Sequence, residues 1–181
     1  MNYAKIINYD IANGEGFRTS LFVSGCTNHC PGCFNPEQQD FGYGTPYSYD
    51  TFFKIVKSLQ EPVISGLSIL GGDPLCQDEF GITRLRGLIT AAHEFHKTVW
   101  LWTGFVWEDI MGDSRWLPHM HDDIFPYDCQ ANLLACCDVV IDGPFIESLK
   151  NPSLKWRGSS NQRVIDVKKT LNQGQVILYE R

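Results

Sequence analysis

Four short apolar runs, each closed by a glycine-containing turn and spaced by helix-patterned stretches, constrain this chain more than any other feature. The runs are Thr19–Ser24 (TSLFVS), Gly66–Leu70 (GLSIL), Thr98–Trp102 (TVWLW) and Asp138–Ile141 (DVVI). Short, continuous and bounded by Gly, Pro or Asp, they predict buried strands. Gln162–Val167 and Gln175–Tyr179 predict two more. Between them, Asp78–His96 sets Ile82, Leu85, Leu88, Ile89, Ala92 and Phe95 on one helical stripe. Ser48–Leu59 repeats the pattern with Ser48 or Asp50 as its cap, and Cys129–Cys137 is a shorter helical candidate. Strand and helix alternating in this order predict an α/β fold with a mostly parallel sheet of about six strands. No composition break divides residues 1–181, which read as a single domain.

The turns that close the strands are Gly25-Cys26, Gly71-Gly72-Asp73-Pro74, Thr103-Gly104 and Asp142-Gly143-Pro144. In parallel sheets the carboxyl ends of the strands share one rim, where active sites sit. The four turns are therefore expected to meet at one mouth.

Charge and hydropathy narrow the partners. Fifteen Lys and Arg against 21 Asp and Glu give a net charge of −6, with no basic stripe for nucleic acid and no basic membrane-binding helix. No apolar run approaches the roughly 20 residues needed to span a bilayer. Met1–Lys5 opens without the apolar core of a signal peptide. The expectation is a soluble, cytoplasmic protein whose partners are small molecules or another protein.

Seven cysteines are many for a chain without an export signal, and three of them fall within Cys26-Thr27-Asn28-His29-Cys30-Pro31-Gly32-Cys33. Three thiolates this close, in a C-x3-C-x2-C pattern, can hold one face of a metal or iron–sulfur cluster. Pro31-Gly32 favours a turn that returns Cys33 to Cys30, and His29, inside the loop, is expected to point elsewhere. A closed zinc site needs a fourth ligand at suitable spacing. Cys76, Cys129, Cys136 and Cys137 are distant and read as small buried apolar residues, with Cys76 the most open to another role. His119-Met120-His121 and Asp122-Asp123 read as solvated loop residues.

The C-x3-C-x2-C loop after the first strand resembles the radical S-adenosylmethionine (SAM) enzymes. That resemblance implies a [4Fe-4S] cluster on Cys26, Cys30 and Cys33, with the fourth iron open to the amino and carboxylate groups of SAM. It implies that Gly32 and Phe34 approach the adenine, and that the turn at Gly71, Gly72 and Asp73 binds the methionine amino group. Thr103 either lines the same site or closes a plain strand-end turn. The implied fold is an open partial (β/α) barrel of about six mostly parallel strands.

Further stretches resemble the activating enzymes of anaerobic (class III) ribonucleotide reductase. They are YDIANGEGFR before LFVSGC, GGDPL, Asp142-Gly143-Pro144-Phe145, and Trp156–Arg163 (WRGSSNQR). The similarity runs from about Asp10 to Arg163, while Trp107–Asp128 shows no motif and reads as a variable loop. This resemblance implies that SAM cleavage makes a 5′-deoxyadenosyl radical, which takes a hydrogen from a glycine Cα of the large reductase subunit. A small reduced donor such as a flavodoxin would supply the electron. Of Arg18, Arg157 and Arg163, at least two are expected to be structural or partner-facing. RGSSNQR either closes the SAM pocket or docks the reductase. Competing readings are a small radical SAM synthase of the deazapurine type, an iron–sulfur electron carrier, and a zinc-binding module.

Overall fold

The computed structural model describes residues 1–112 and 129–180. One seven-stranded open sheet carries the fold, in the order β3-β1-β2-β4-β5-β6-β7. Its strands are β1 (Asn2–Asp10), β2 (Phe17–Val23), β3 (Thr45–Pro46), β4 (Ile64–Gly71), β5 (Thr98–Trp102), β6 (Val139–Asp142) and β7 (Arg163–Asp166). The central strands β2, β4, β5 and β6 pair in parallel, as the alternation predicts, while β1, β3 and β7 pair antiparallel at the edges.

Two expectations need correction. The count is seven rather than six, because β1 and the two-residue β3 carry no alternating apolar signal. Gln175–Tyr179 is not a strand: it meets β7 through the single bridge Ile165–Leu178 and two flanking backbone bonds, Asp166 N to Ile177 O and Tyr179 N to Val164 O.

The helices are α1 (Tyr49–Leu59), α2 (Glu79–Glu94), α3 (Trp107–Met111), α4 (Cys129–Ala135) and α5 (Val167–Gln173). Ser48 caps α1 in a reciprocal capping box with Thr51. Asp78 caps α2, its carboxylate accepting from Gly81 N at 2.7 Å. Asp78→Ala leaves that amide without its partner and is expected to cost about 1 kcal/mol, read from the urea midpoint.

The main core lies on one sheet face. Leu21, Leu67, Ile69, Val99, Leu101 and Val140 pack there against Ile55, Leu59, Leu85, Leu88 and Leu133 of the helices. The two-residue period of the strands sends Trp100, Val139, Ile141 and Val164 to the opposite face, where Trp102, Trp156 and Tyr179 join them. This second face carries loops instead of a helical layer, which leaves room for a cavity at its upper end.

Arg18 is the polar centre of that second face and is fully buried. Its Nε donates to Ser68 Oγ at 2.6 Å, Nη1 to Glu15 O and Thr98 Oγ1, and Nη2 to Leu67 O and Thr98 O. The guanidinium also lies over Trp100, 5.3 Å from the ring centroid. Burial draws its pKa down to about 10, so it stays charged at neutral pH. Gly66 beside it has no room for a side chain, since a Cβ would sit 2.1 Å from Thr98 O.

Candidate functional site

The four strand-end turns meet, as expected. Gly72 N donates to Val23 O (2.7 Å), Asp73 N to Gly25 O (2.8 Å), Thr103 N to Ile141 O (2.9 Å) and Gly143 N to Phe105 O (2.9 Å). These cross-links brace the rim of an open cavity of about 470 Å³. Cys26, Cys30 and Cys33 line it together with Phe34, Gly71, Gly72, Asp73 and Thr103. Gly32 lies one step outside the lining, with φ +69°, and a Cβ there would meet the Glu147 carboxylate at 2.8 Å.

The cysteine loop is shaped by its own backbone. Cys33 N donates to Cys30 O (3.2 Å), the turn that Pro31-Gly32 favours. His29 points elsewhere, as expected, its Nδ1 meeting Gln39 Oε1 at 3.1 Å. Two sulfurs already receive amide donors, Asn28 N to Cys26 Sγ and Asn35 N to Cys33 Sγ, each at 3.4 Å. Such N–H donors stabilise thiolate ligands and tune a bound metal. Cys26, Cys30 and Cys33 do not converge as a threesome within 4.8 Å; among the described residues only Cys26, Asp73 and Cys76 do so. Three thiols spread around one open cavity fit a cluster of several irons better than a single ion, and the all-sulfur donor set suits iron.

Asp73 organises the rim from below. It is almost fully buried, and its carboxylate accepts from Leu75 N, Asn28 Nδ2, Thr103 Oγ1 and Gly104 N at 2.8–3.0 Å. Burial, helped by the nearby Cys76 sulfur, pushes its pKa up to about 7 against the pull of these donors. The side chain is thereby committed to the protein, and three turns are tied through one carboxylate. The Thr103 hydroxyl is likewise spent on Asp73. Asn28, which no sequence motif singles out, links the cysteine loop to this knot. It also explains Gly104, where a Cβ would lie 2.5 Å from Asn28 Nδ2.

Gly72 is crowded on its protein side: a Cβ would come within 2.5 Å of Gly25 O and 2.6 Å of Gln38 O. Gly72→Val is therefore expected to displace the base of the cysteine loop as well as disturb any ligand above it. Its signature is a lower melting temperature of the cluster-free chain, by several degrees for each kcal/mol lost; an unchanged melting temperature contradicts the crowding.

WRGSSNQR folds against the fourth turn and closes the cavity wall. Arg157 Nη1 donates to Gln162 O, Gln162 Nε2 to Gly143 O and Asn161 Nδ2 to Pro144 O. Arg157, Gly158 and Gln162 line the cavity beside Trp102 and Trp156. Gly158 lets Phe34 and Phe145 pack together at 5.0 Å, since a Cβ would be 2.6 Å from the Phe34 ring.

Arg163 is a latch, forked between Asp142 and Glu108 and so joining β6, β7 and α3. Both carboxylates raise its pKa, and Arg163 in turn holds Glu108 below its usual value. The stability that Glu108 adds is present above its unfolded pKa of about 4.3 and fades as the pH falls through its lower folded pKa. Glu108 is half-exposed, so Glu108→Gln should lower stability at neutral pH by only about 0.5 kcal/mol and flatten this acid limb, read from melting temperature against pH.

The remaining cysteines divide. Cys137 fits the apolar reading: it is buried and its thiol is pushed well up. Cys136 is exposed and Cys76 half-buried, which corrects that reading for both. The neighbouring Cys26 thiol draws Cys76 down to about 6, with help from Thr27, while Cys76 and burial push the Cys26 thiol up, which favours a proton on Cys26. Iron ligation would remove that proton from Cys26. The start of Trp107–Asp128 is helix α3; the Cys129 side chain, His119-Met120-His121 and Asp122-Asp123 lie outside the described residues. Among the described residues no helix is long and apolar enough to cross a membrane.

A loop of three thiols at a cavity rim is compatible with an iron–sulfur domain, and residues 12–165 match the family model for a 4Fe-4S single cluster domain. Relatives sharpen this. The chain is 37% identical over 165 residues to the anaerobic ribonucleoside-triphosphate reductase-activating protein of Pasteurella multocida, covering 90% of this chain and 95% of that protein. It is 36% identical over 167 residues to the protein of the same description from Escherichia coli K12, covering 91% and 97%. The counterpart from Enterobacteria phage T4 is 35% identical over 165 residues, covering 91% and 93%. The chain belongs to the family of anaerobic ribonucleoside-triphosphate reductase-activating proteins.

Proposed function

We propose that this chain activates an anaerobic ribonucleotide reductase by radical SAM chemistry, its sheet serving as an open partial (β/α) barrel of that type. The observation that carries the reading is the set of Cys26, Cys30 and Cys33 around one open cavity whose other wall is the Gly71-Gly72 turn. The three thiols hold a [4Fe-4S] cluster and leave one iron for SAM. With the electron that the reduced cluster supplies, cleavage of SAM gives methionine and the 5′-deoxyadenosyl radical, which takes a hydrogen from a glycine Cα of the reductase large subunit.

The chain's own residues bind and orient. Gly71 and Gly72 let backbone groups approach the methionine end of SAM, and Asp73 takes part through its backbone while its carboxylate fixes the turns. Thr103 forms part of the wall. Phe34 covers the adenine, a role supported by its 59% exposure and its tilted packing on Phe145, with Gly32 shaping the turn before it. WRGSSNQR serves on the SAM side, a reading supported by Trp156, Arg157, Gly158 and Gln162 lining the cavity. A partner's glycine-bearing loop enters by the cavity mouth, a small donor such as a flavodoxin delivers the electron, and the reaction runs in the cytoplasm.

The test is anaerobic reconstitution with iron and sulfide, reduction, and addition of SAM. Chromatography is expected to show 5′-deoxyadenosine. An intact cluster that yields none contradicts the reading and favours an electron carrier; a colourless, zinc-loaded protein favours the zinc module.

A further inference from the structure

We propose that Cys26 and Cys76 join in a disulfide when the chain lacks its cluster, so that cluster loading requires a thiol reductant. The loading half rests on Cys26 being a cluster ligand; the disulfide itself does not.

Two backbone bonds hold the Gly72–Cys76 turn against the base of the cysteine loop, Gly72 N to Val23 O (2.7 Å) and Asp73 N to Gly25 O (2.8 Å), and a third, Cys76 N to Asp73 O (3.1 Å), closes the turn itself. This frame sets Cys76 over the residue that follows Cys26: Thr27 N and Thr27 Oγ1 lie 3.4 and 3.3 Å from Cys76 Sγ. The Cys26 and Cys76 sulfurs and an Asp73 carboxylate oxygen all lie within 4.8 Å of one another. Asp73 is occupied by four protein groups, so the trio is not an ion site. What remains is a pair of facing thiols. Both are partly exposed, within reach of a small oxidant. A disulfide closes to about 2 Å between sulfurs, so the pair, already within 4.8 Å, has less than about 3 Å to cover.

The chemistry balances with a small disulfide as oxidant. The thiolate of one cysteine attacks it and releases one small thiol; the second cysteine attacks the mixed disulfide and releases the other. Two electrons and two protons pass from the cysteines to the two small thiols. Cys26 is then tied up and cannot bind iron, but it is also shielded from irreversible oxidation. A dithiol reverses the step and frees the ligand.

The experiment treats the cluster-free full chain with oxidised glutathione, traps free thiols by alkylation, and maps unreduced peptides by mass spectrometry. The expected result is a linked pair of peptides carrying Cys26 and Cys76. Iron and sulfide uptake by the oxidised chain should be lost and should return after dithiothreitol. Cys76→Ala should lack the link and leave Cys26 alkylated or glutathionylated. The proposal is overturned if wild-type Cys26 stays alkylated or pairs with Cys30 or Cys33, or if the oxidised chain loads without dithiothreitol. The wild-type map decides even if the variant folds poorly. No SAM or reductase is present, so a failure of the activase reading leaves this result independent.

Discussion

Cys30→Ala is expected to fold and yet hold no intact cluster. On the proposed ligand set each thiol of the loop supplies one of only three protein bonds, and with two the cluster would have no stable seat. Disturbing even the groups behind metal ligands costs 10–100-fold, so removing a ligand should lower SAM cleavage by more than ~100-fold. Cys30 is the cleanest position, because Cys76 stands beside Cys26 and offers a substitute sulfur there. Iron and sulfide analysis with the visible spectrum reads the loss. A Cys30→Ala chain with full iron content and turnover contradicts the ligand assignment.

Arg18→Ala should unfold the chain most easily of any single change far from the loop. The substitution strips donors from Glu15 O, Leu67 O, Thr98 O and the hydroxyls of Ser68 and Thr98. Each buried acceptor left unpaired costs about 1–3 kcal/mol, so a total of about 4 kcal/mol is expected once relaxation recovers part of it. The effect should reach the cavity, because Ser68 Oγ also donates to Asn13 O and Asn13 lines the wall. Arg18→Lys keeps the charge but not the fork, and should fall between the two. Urea denaturation of the cluster-free chain measures both. A loss below about 1 kcal/mol for Arg18→Ala would show that the network is dispensable.

The sequence made the parallel centre of the sheet legible, because β2, β4, β5 and β6 are continuous apolar runs that must be buried on both faces. It made the rim legible for the same reason: turns that end parallel strands fall on one side. Strand β1, between β2 and the two-residue β3, was hidden because most of its side chains are only partly buried and its register slips twice against β2, so no alternation marks it. Gln175–Tyr179 misled in the other direction, since its apolar pattern serves to seat Tyr179 against Trp100, at 5.3 Å, and not to extend the sheet.

Within the site, the grouping of the three cysteines was legible because the C-x3-C-x2-C spacing puts all three on one loop at a strand end, and the fold brings them to one cavity. The commitments of polar side chains were not. Asp73 reads as part of a ligand-binding turn, yet its carboxylate serves Asn28, Thr103 and Gly104, from two other turns as well as its own Leu75. Arg163 belongs to a recognisable run, but its partner Glu108 sits in a five-residue helix without any motif. Cys76 reads as an apolar filler until the fold sets it beside Cys26. Long-range pairings of this kind come from topology, and local pattern does not carry them.

The most direct test of the account is electron paramagnetic resonance on the reconstituted, reduced chain mixed anaerobically with SAM and the large subunit of an anaerobic ribonucleotide reductase. The account predicts a glycyl-radical doublet on the reductase, appearing together with 5′-deoxyadenosine and absent when SAM is withheld. Deoxyadenosine without that doublet would contradict the protein-glycine substrate and point to a small-molecule synthase.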